Sequence, residues 1–172
     1  MRVAASDAYQ ASKDAADFVC DGTDDQVEIN QAIELIFVAV DFSQGRVLLS
    51  EGHFSVGAPI LVHAGTTLLG MGIEATFITK ENGNDSDGIV AAWGTATSYF
   101  YEIKELTLDG NKAFCAAGAG VRYDAVQGDY ADLICVNVRA HDWNEEGFFG
   151  SGDFGEGYYQ GCIAEDLSLI HI

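Results

Sequence analysis

Four carboxylates in the second half of this 172-residue chain, Asp109, Asp142, Glu145 and Glu146, are the residues whose types could carry catalysis. Glycoside hydrolysis needs two carboxylates flanking the scissile bond, one protonated and one ionised. β-Elimination from a uronate needs a base and a cation that neutralises the sugar carboxylate, often Ca²⁺ held by oxygen ligands. Arg139, His141, Trp143 and Tyr158 are the matching candidates for holding substrate. The first two would act by charge and hydrogen bonding. The two rings, in polar Gly-rich surroundings, would stack their apolar bodies on a sugar face. A plainer account covers most of the acids, which also include Asp124, Asp129, Asp132, Asp153, Glu156, Glu165 and Asp166: acidic turns solvate a β-rich surface and keep strand edges apart.

Other chemistries find less support. Cys20, Cys115, Cys135 and Cys162 follow neither C-x-x-C nor Cys/His zinc spacing, so no metal site is assigned and they read as small buried hydrophobes, with a disulfide between neighbouring chain layers as the alternative. Cys135 and Cys162 are expected at equivalent places of an internal repeat, stacked inward. His53 and His63 lack Cys or acidic partners at metal spacing. Asn111 and Asn137 suit tight corners, since Asn tolerates a left-handed backbone. Gly70-Met71-Gly72 is a turn, because no helix or Lys-Ser/Thr follows it.

Composition bounds the rest. The chain carries 27 Asp and Glu against 8 Lys and Arg, a formal charge of -19. Such a surface repels a phosphate backbone, which argues against a nucleic-acid partner. Hydrophobic residues make up 48%, enough for a packed domain and too many for an acidic disordered tail. No apolar run reaches the length of a membrane span, and the first residues carry no apolar signal core.

The elements that must position these residues come in two kinds. Ile29, Ala32, Ile33, Ile36 and Val40 recur at helical spacing and predict a helix over about 24–38. Thr23 and Gln26 fit a capping box, and Asp24 and Asp25 place negative charge at the positive end of the helix dipole. From Gly45 onward the pattern changes to strands of four or five residues: 46–50, 53–56, 59–62, 66–70 and 75–79. No helical segment separates them, so this is no βαβ protein. Later, Gly88, Gly120 and Gly147 each precede a short apolar strand, at steps of 32 and 27 residues. Ile103–Leu108 and Leu133–Val138 match in pattern: one apolar residue, two that bend the chain, then apolar-polar-apolar. A repeat of this length made only of short strands predicts a β-solenoid whose coils pair in parallel. Aligning the two matched segments puts Asp109 level with Arg139 and Asn111 level with His141. The domain expectation is an N-terminal segment and capping helix over 1–44, then coils over 45–172, whose uncapped apolar end Leu167–Ile172 reads either as a solenoid cut short or as final residues foreign to it.

These phrases resemble a family. Asp21-Gly22-Thr23-Asp24-Asp25 before a helix, Gly45–Phe54, Thr66–Gly72 and Leu106-Thr107-Leu108-Asp109-Gly110-Asn111 are similar to the successive opening phrases of the pectin-lyase-like superfamily. The likeness is to the group of pectate-lyase-type domains and phage tailspikes, and it covers residues 17 to about 165. It implies an all-β fold, a right-handed parallel β-helix with a short N-terminal capping helix. It implies a polysaccharide partner, an extracellular, cell-surface or virion location and, for a spike, a homotrimer. Lyases, hydrolases, epimerases and non-catalytic spikes all share this scaffold, so the fold does not choose among them. Asn-Thr-Asp, Gly-His-Gly and Arg-Ile-Lys phrases are absent, and His141-Asp142 reverses the Asp-His order of many pectate lyases. No cofactor is evident beyond the Ca²⁺ that lyase chemistry would use. The two functional expectations are therefore a polysaccharide lyase or hydrolase, and a non-catalytic spike or adhesin stalk.

Overall fold

The computed structural model describes residues 1–39, 45–91, 100–124, 132–151 and 157–167. In chain order it contains β1 (Arg2–Ala4), α1 (Gln10–Asp14), β2 (Phe18–Val19), α2 (Gln26–Ala39), β3 (Gly45–Leu49), β4 (Gly52–Val56), β5 (Ile60–Val62), β6 (Thr66–Leu69) and β7 (Thr76–Lys80). It continues with β8 (Ile89–Ala91), β9 (Phe100–Asp109), β10 (Val121–Asp124), β11 (Asp132–His141), β12 (Phe148–Ser151), β13 (Gly157–Gln160) and β14 (Ile163–Glu165). Every strand pair among the described residues is parallel.

The larger sheet runs β13-β11-β9-β6-β3-β1-β2, and β4, β7 and β14 join it at the far ends of the long strands. A second sheet runs β12-β10-β8-β5. This is a coil wound upward, each turn pairing with the one before. The long strands β9 and β11 bend in the middle. Glu105 (φ 57°) and Asn137 (φ 51°) adopt left-handed backbone there, and Gly161 (φ 64°) does so one coil later. Asn137 Nδ2 donates to Glu105 Oε1 at 2.7 Å, so the bends are tied to one another.

Because side chains alternate across a strand, one set from each coil points inward. Phe54, Ile78, Leu108 and Ala140 stand in register and are buried. Val47, Leu68, Ile103 and Cys135 form a second inward column, and Ile60, Ile89 and Val121 a third. Each such Leu, Ile or Phe contributes about 1.5–3 kcal/mol by leaving water.

The matched segments stack, but two residues away from the alignment that their patterns suggest. Leu106 pairs with Val138 and Asp109 with His141, a step of 32 residues. A slip of two leaves the inward and outward faces unchanged, so apolar pattern alone cannot choose between the registers. The stacked bends at Glu105 and Asn137 select the observed one. Cys162 also departs from expectation. Tyr159, and not Cys162, lies opposite Cys135, although the Cys162 thiol still reaches the Cys135 carbonyl at 3.4 Å.

Helix α2 covers the start of the coil, with Ile29, Ala32, Ile33 and Ile36 buried against the first strands. Val40 lies outside the described residues. The expected capping box does not form. The Thr23 N–H is taken by Asp21 Oδ1 at 3.0 Å, and Gln26 Oε1 accepts the Gly57 N–H instead. Asp25 does the anchoring. It is fully buried, and its two oxygens accept the N–H groups of Gly22 and Ser55, each at 2.8 Å. Its own N–H donates to the Ser55 carbonyl, so the Asp-Gly-Thr-Asp-Asp phrase lashes the helix to β4. No helix among the described residues is long and apolar enough to cross a membrane.

Candidate functional site

One outward column crosses five coils: Ser55, Thr79, Asp109, His141 and Glu165 stand level on β4, β7, β9, β11 and β14. Leu108 and Ala140, their neighbours along the strands, point inward and are buried. Parallel stacking therefore places Asp109 beside His141. The chain then turns at Asp142, whose left-handed backbone (φ 56°) swings its carboxylate back toward the imidazole. His141 Nδ1 lies 2.8 Å from Asp142 Oδ2. One ligand atom each of Asp109, His141 and Asp142 fall within 4.8 Å of one another. Asp109 Oδ1 is held by the Asn111 N–H at 2.8 Å, and Asn111 sits at φ 50° in the corner role expected of it.

Arg139 is outward on the same strand but committed to other acids. Its Nε donates to Glu165 Oε1 at 2.6 Å, and its Nη1 lies 3.8 Å from Glu74. It does not stand level with Asp109, since Thr107 takes that place in the register.

The other candidates are dispersed. Glu145 belongs to a cluster beside the second sheet. Arg122 Nη2 donates to it at 3.1 Å, while Arg122 Nε holds Asp87 at 2.6 Å and its guanidinium stacks on Phe149, 4.4 Å from the ring centre. Glu146 is buried, and its carbonyl accepts the Gly120 N–H. Trp143 is 1% exposed, which rules it out as an open sugar platform. Its ring fills a slot left by three glycines. A Cβ on Gly88 or Gly110 would lie 2.7 Å from ring carbons, and one on Gly120 would lie 3.3 Å from Nε1. Trp143 Nε1 donates to the Leu108 carbonyl at 3.3 Å, and the buried Lys80 amine lies 5.0 Å from the ring centre. Tyr158 is 55% exposed, as stacking requires, but it lies on β13, before the bend, opposite Ile134. The further aromatic residues Trp93, Tyr99 and Phe154, like Asp129, Asp153 and Glu156, lie outside the described residues.

Sequence reasoning missed Lys80. It sits at an inward corner, donates to the Ala117 carbonyl at 2.6 Å, and burial pushes its amine below the usual lysine range. Nothing in its local sequence marks it, because the loop that covers it comes from residues 110–119. His53 and His63 also acquire partners unseen in sequence, Asp7 at 2.8 Å and Glu34 at 3.1 Å, both drawn from the N-terminal segment.

The donors do not fit Ca²⁺. That ion takes six to eight oxygens, whereas this cluster offers one imidazole nitrogen and two carboxylates. One oxygen of each carboxylate is already committed, to Asn111 or to His141. What the arrangement can do is move protons. Asp142 can fix the imidazole tautomer through Nδ1, and Asp109 adds a second carboxylate beside the ring.

No protein-family model and no curated protein sequence matches the chain. Among solved structures it is similar to the A-module of the mannuronan C-5 epimerase AlgE6 of Azotobacter vinelandii. The TM-score is 0.59 and the identity 21%, over 85% of this chain and 41% of that one. The fold is a right-handed parallel β-helix. The A-module of the mannuronan C-5 epimerase AlgE4 of the same organism aligns over 85% of this chain and 47% of its own, at 20% identity and a TM-score of 0.44. The β-helix thus spans less than half the length of either neighbour.

Proposed function

We propose that this β-helix is directed at polysaccharide and acts on it by proton transfer, with His141 as the acid–base group, Asp142 orienting it and Asp109 as the second carboxylate. One observation carries the reading: the three side chains converge within 4.8 Å on an outward column of the coil. Inverting hydrolysis places its carboxyl groups about 6.5–9.5 Å apart to admit water, which this pair is too close to do. A histidine held by an aspartate suits proton abstraction or donation, the step that β-elimination shares with epimerisation. The polysaccharide epimerase named among the solved neighbours supports the substrate class. An extracellular, cell-surface or virion location follows from such a substrate.

The second reading is a non-catalytic spike or adhesin stalk, in the form of a homotrimer. Burial of Trp143 and the pairing of Glu145 with Arg122 favour it, since both remove groups from the candidate site. A panel of neutral and uronate-containing polysaccharides decides between the two. Acid–base action gives new reducing ends, unsaturated products or altered sugar stereochemistry with the wild type. His141→Ala and Asp142→Asn lose that activity with unchanged far-UV circular dichroism, while Glu145→Gln retains it. Activity that survives His141→Ala removes the proposed site, and an inert wild type that sediments as a trimer supports the stalk.

A further inference from the structure

A cleft lies between α1 and the outer face of the larger sheet, on the limb of the coil before the bend. It has a volume of about 280 Å³. Arg2, Leu48 and Leu69 stand level on β1, β3 and β6 and form its floor. Ala15 and Ala16 form one wall, and Met71, 63% exposed, forms part of the rim.

The helix above it is held by polar clasps and not by packing. No residue of α1 is buried. Glu51 accepts the Tyr9 N–H at 2.9 Å and the Ser12 hydroxyl at 2.9 and 3.1 Å. Burial pushes the Glu51 carboxyl up, but these bonds outweigh it, and it titrates below the ordinary glutamate value. Water under such a roof meets mostly carbon. The lining hydroxyls are already committed: Ser12 to Glu51, and Ser50 to the Ala5 N–H and the Glu51 carbonyl. Arg2 is the exception. Its N–H binds Asp17 at 2.7 Å, but its guanidinium makes no ion pair or hydrogen bond among the described residues. Arg122, Arg139 and Lys104 by contrast each hold a carboxylate.

We propose that this cleft binds a small organic monoanion with an apolar body, an alkyl carboxylate of roughly six to ten carbons, its chain on Leu48, Leu69 and Met71 and its carboxylate on Arg2. An apolar cavity of about 150 Å³ accepts benzene, so this one has room for a longer body. A charge-assisted bond to a guanidinium supplies the polar anchor that such pockets use to fix orientation. The chain's charge of -19 opposes any anion at long range, so affinity comes mainly from the apolar body.

The test is a methyl-resonance titration of the full chain with butyrate, hexanoate, octanoate and octanol. Saturable shifts are expected at Leu48, Leu69 and Met71, with affinity rising about fourfold per added methylene until the cleft is full. Arg2→Gln should weaken octanoate about tenfold and octanol less than twofold. Leu48→Trp should block both. Should that variant fail to fold, Met71→Glu at the rim should block octanoate alone. Absence of saturable shifts, shifts that map elsewhere, or equal effects of Arg2→Gln on octanoate and octanol would overturn the assignment.

Discussion

Replacing Trp143 with alanine should cost the fold about 4.5–7.5 kcal/mol. The ring is 1% exposed and seated between Gly88, Gly110 and Gly120 from different coils, so little can collapse into the space it leaves. Removal of a buried aromatic ring costs about 3–5 kcal/mol through lost transfer energy and the cavity left behind. Loss of the Lys80 contact at 5.0 Å adds about 1–2 kcal/mol, because the amine is desolvated there. The hydrogen bond to the Leu108 carbonyl is long at 3.3 Å and adds about 0.5 kcal/mol. At a urea slope of about 2 kcal/mol per molar, the midpoint should fall by about 2–4 M. Trp143→Phe keeps a ring beneath Lys80 and refills most of the slot, so its loss should be about 1–2 kcal/mol. Urea titrations followed by circular dichroism measure both. A Trp143→Ala midpoint within about 0.5 M of the wild type would refute the reasoning and return the ring to the surface.

Two glycines of different kinds should separate in the same assay. Gly110→Ala forces a Cβ to 2.4 Å from the Asp142 carbonyl and 2.7 Å from the Trp143 ring, and should cost about 2–3 kcal/mol. Gly83→Ala meets nothing within 4 Å and should cost only the left-handed backbone (φ 77°), about 1 kcal/mol. Acid should loosen the N-terminal segment. Burial pushes the Asp7 carboxyl up, but the His53 N–H and imidazole outweigh it and hold it below its ordinary value of 3.8. A carboxyl lowered in the folded state adds stability above its unfolded pKa and loses it as pH falls through the folded one. The gap in Tm between wild type and Asp7→Asn should therefore be largest above pH 4 and close below it. Asp25, raised by burial, acts in the opposite sense, but it is common to both proteins and cancels.

The coil was legible because its apolar residues recur with the strand period, and glycines mark successive starts at steps that the ladders reproduce: Ile89 pairs with Val121, and Val121 with Phe148. The α2 stripe was legible for the same reason at the helical period. The exact stacking was not. Moving β9 by two residues against β11 preserves every inward side chain, and the deciding feature, a glutamate at φ 57°, has no sequence mark. Strands β1 and β2 are too short to show alternation and are held by pairing with one another and with β3. Trp143 was misjudged because its sequence neighbours are polar, whereas the slot it fills is made by glycines at 88, 110 and 120. Asp109, His141 and Asp142 emerged as a site only once the register was known, and Glu145 left it because Trp143 turns inward between them.

That register is the claim on which the site depends, and one hydrogen bond reports it. The Gly110 N–H donates to the His141 carbonyl at 3.0 Å. Scalar coupling across this bond, between the Gly110 nitrogen and the His141 carbonyl carbon, can be recorded on deuterated protein. A correlation from Gly110 to His141 is the predicted result. A correlation from Gly110 to a carbonyl two residues earlier, at Arg139, would contradict it and separate Asp109 from His141.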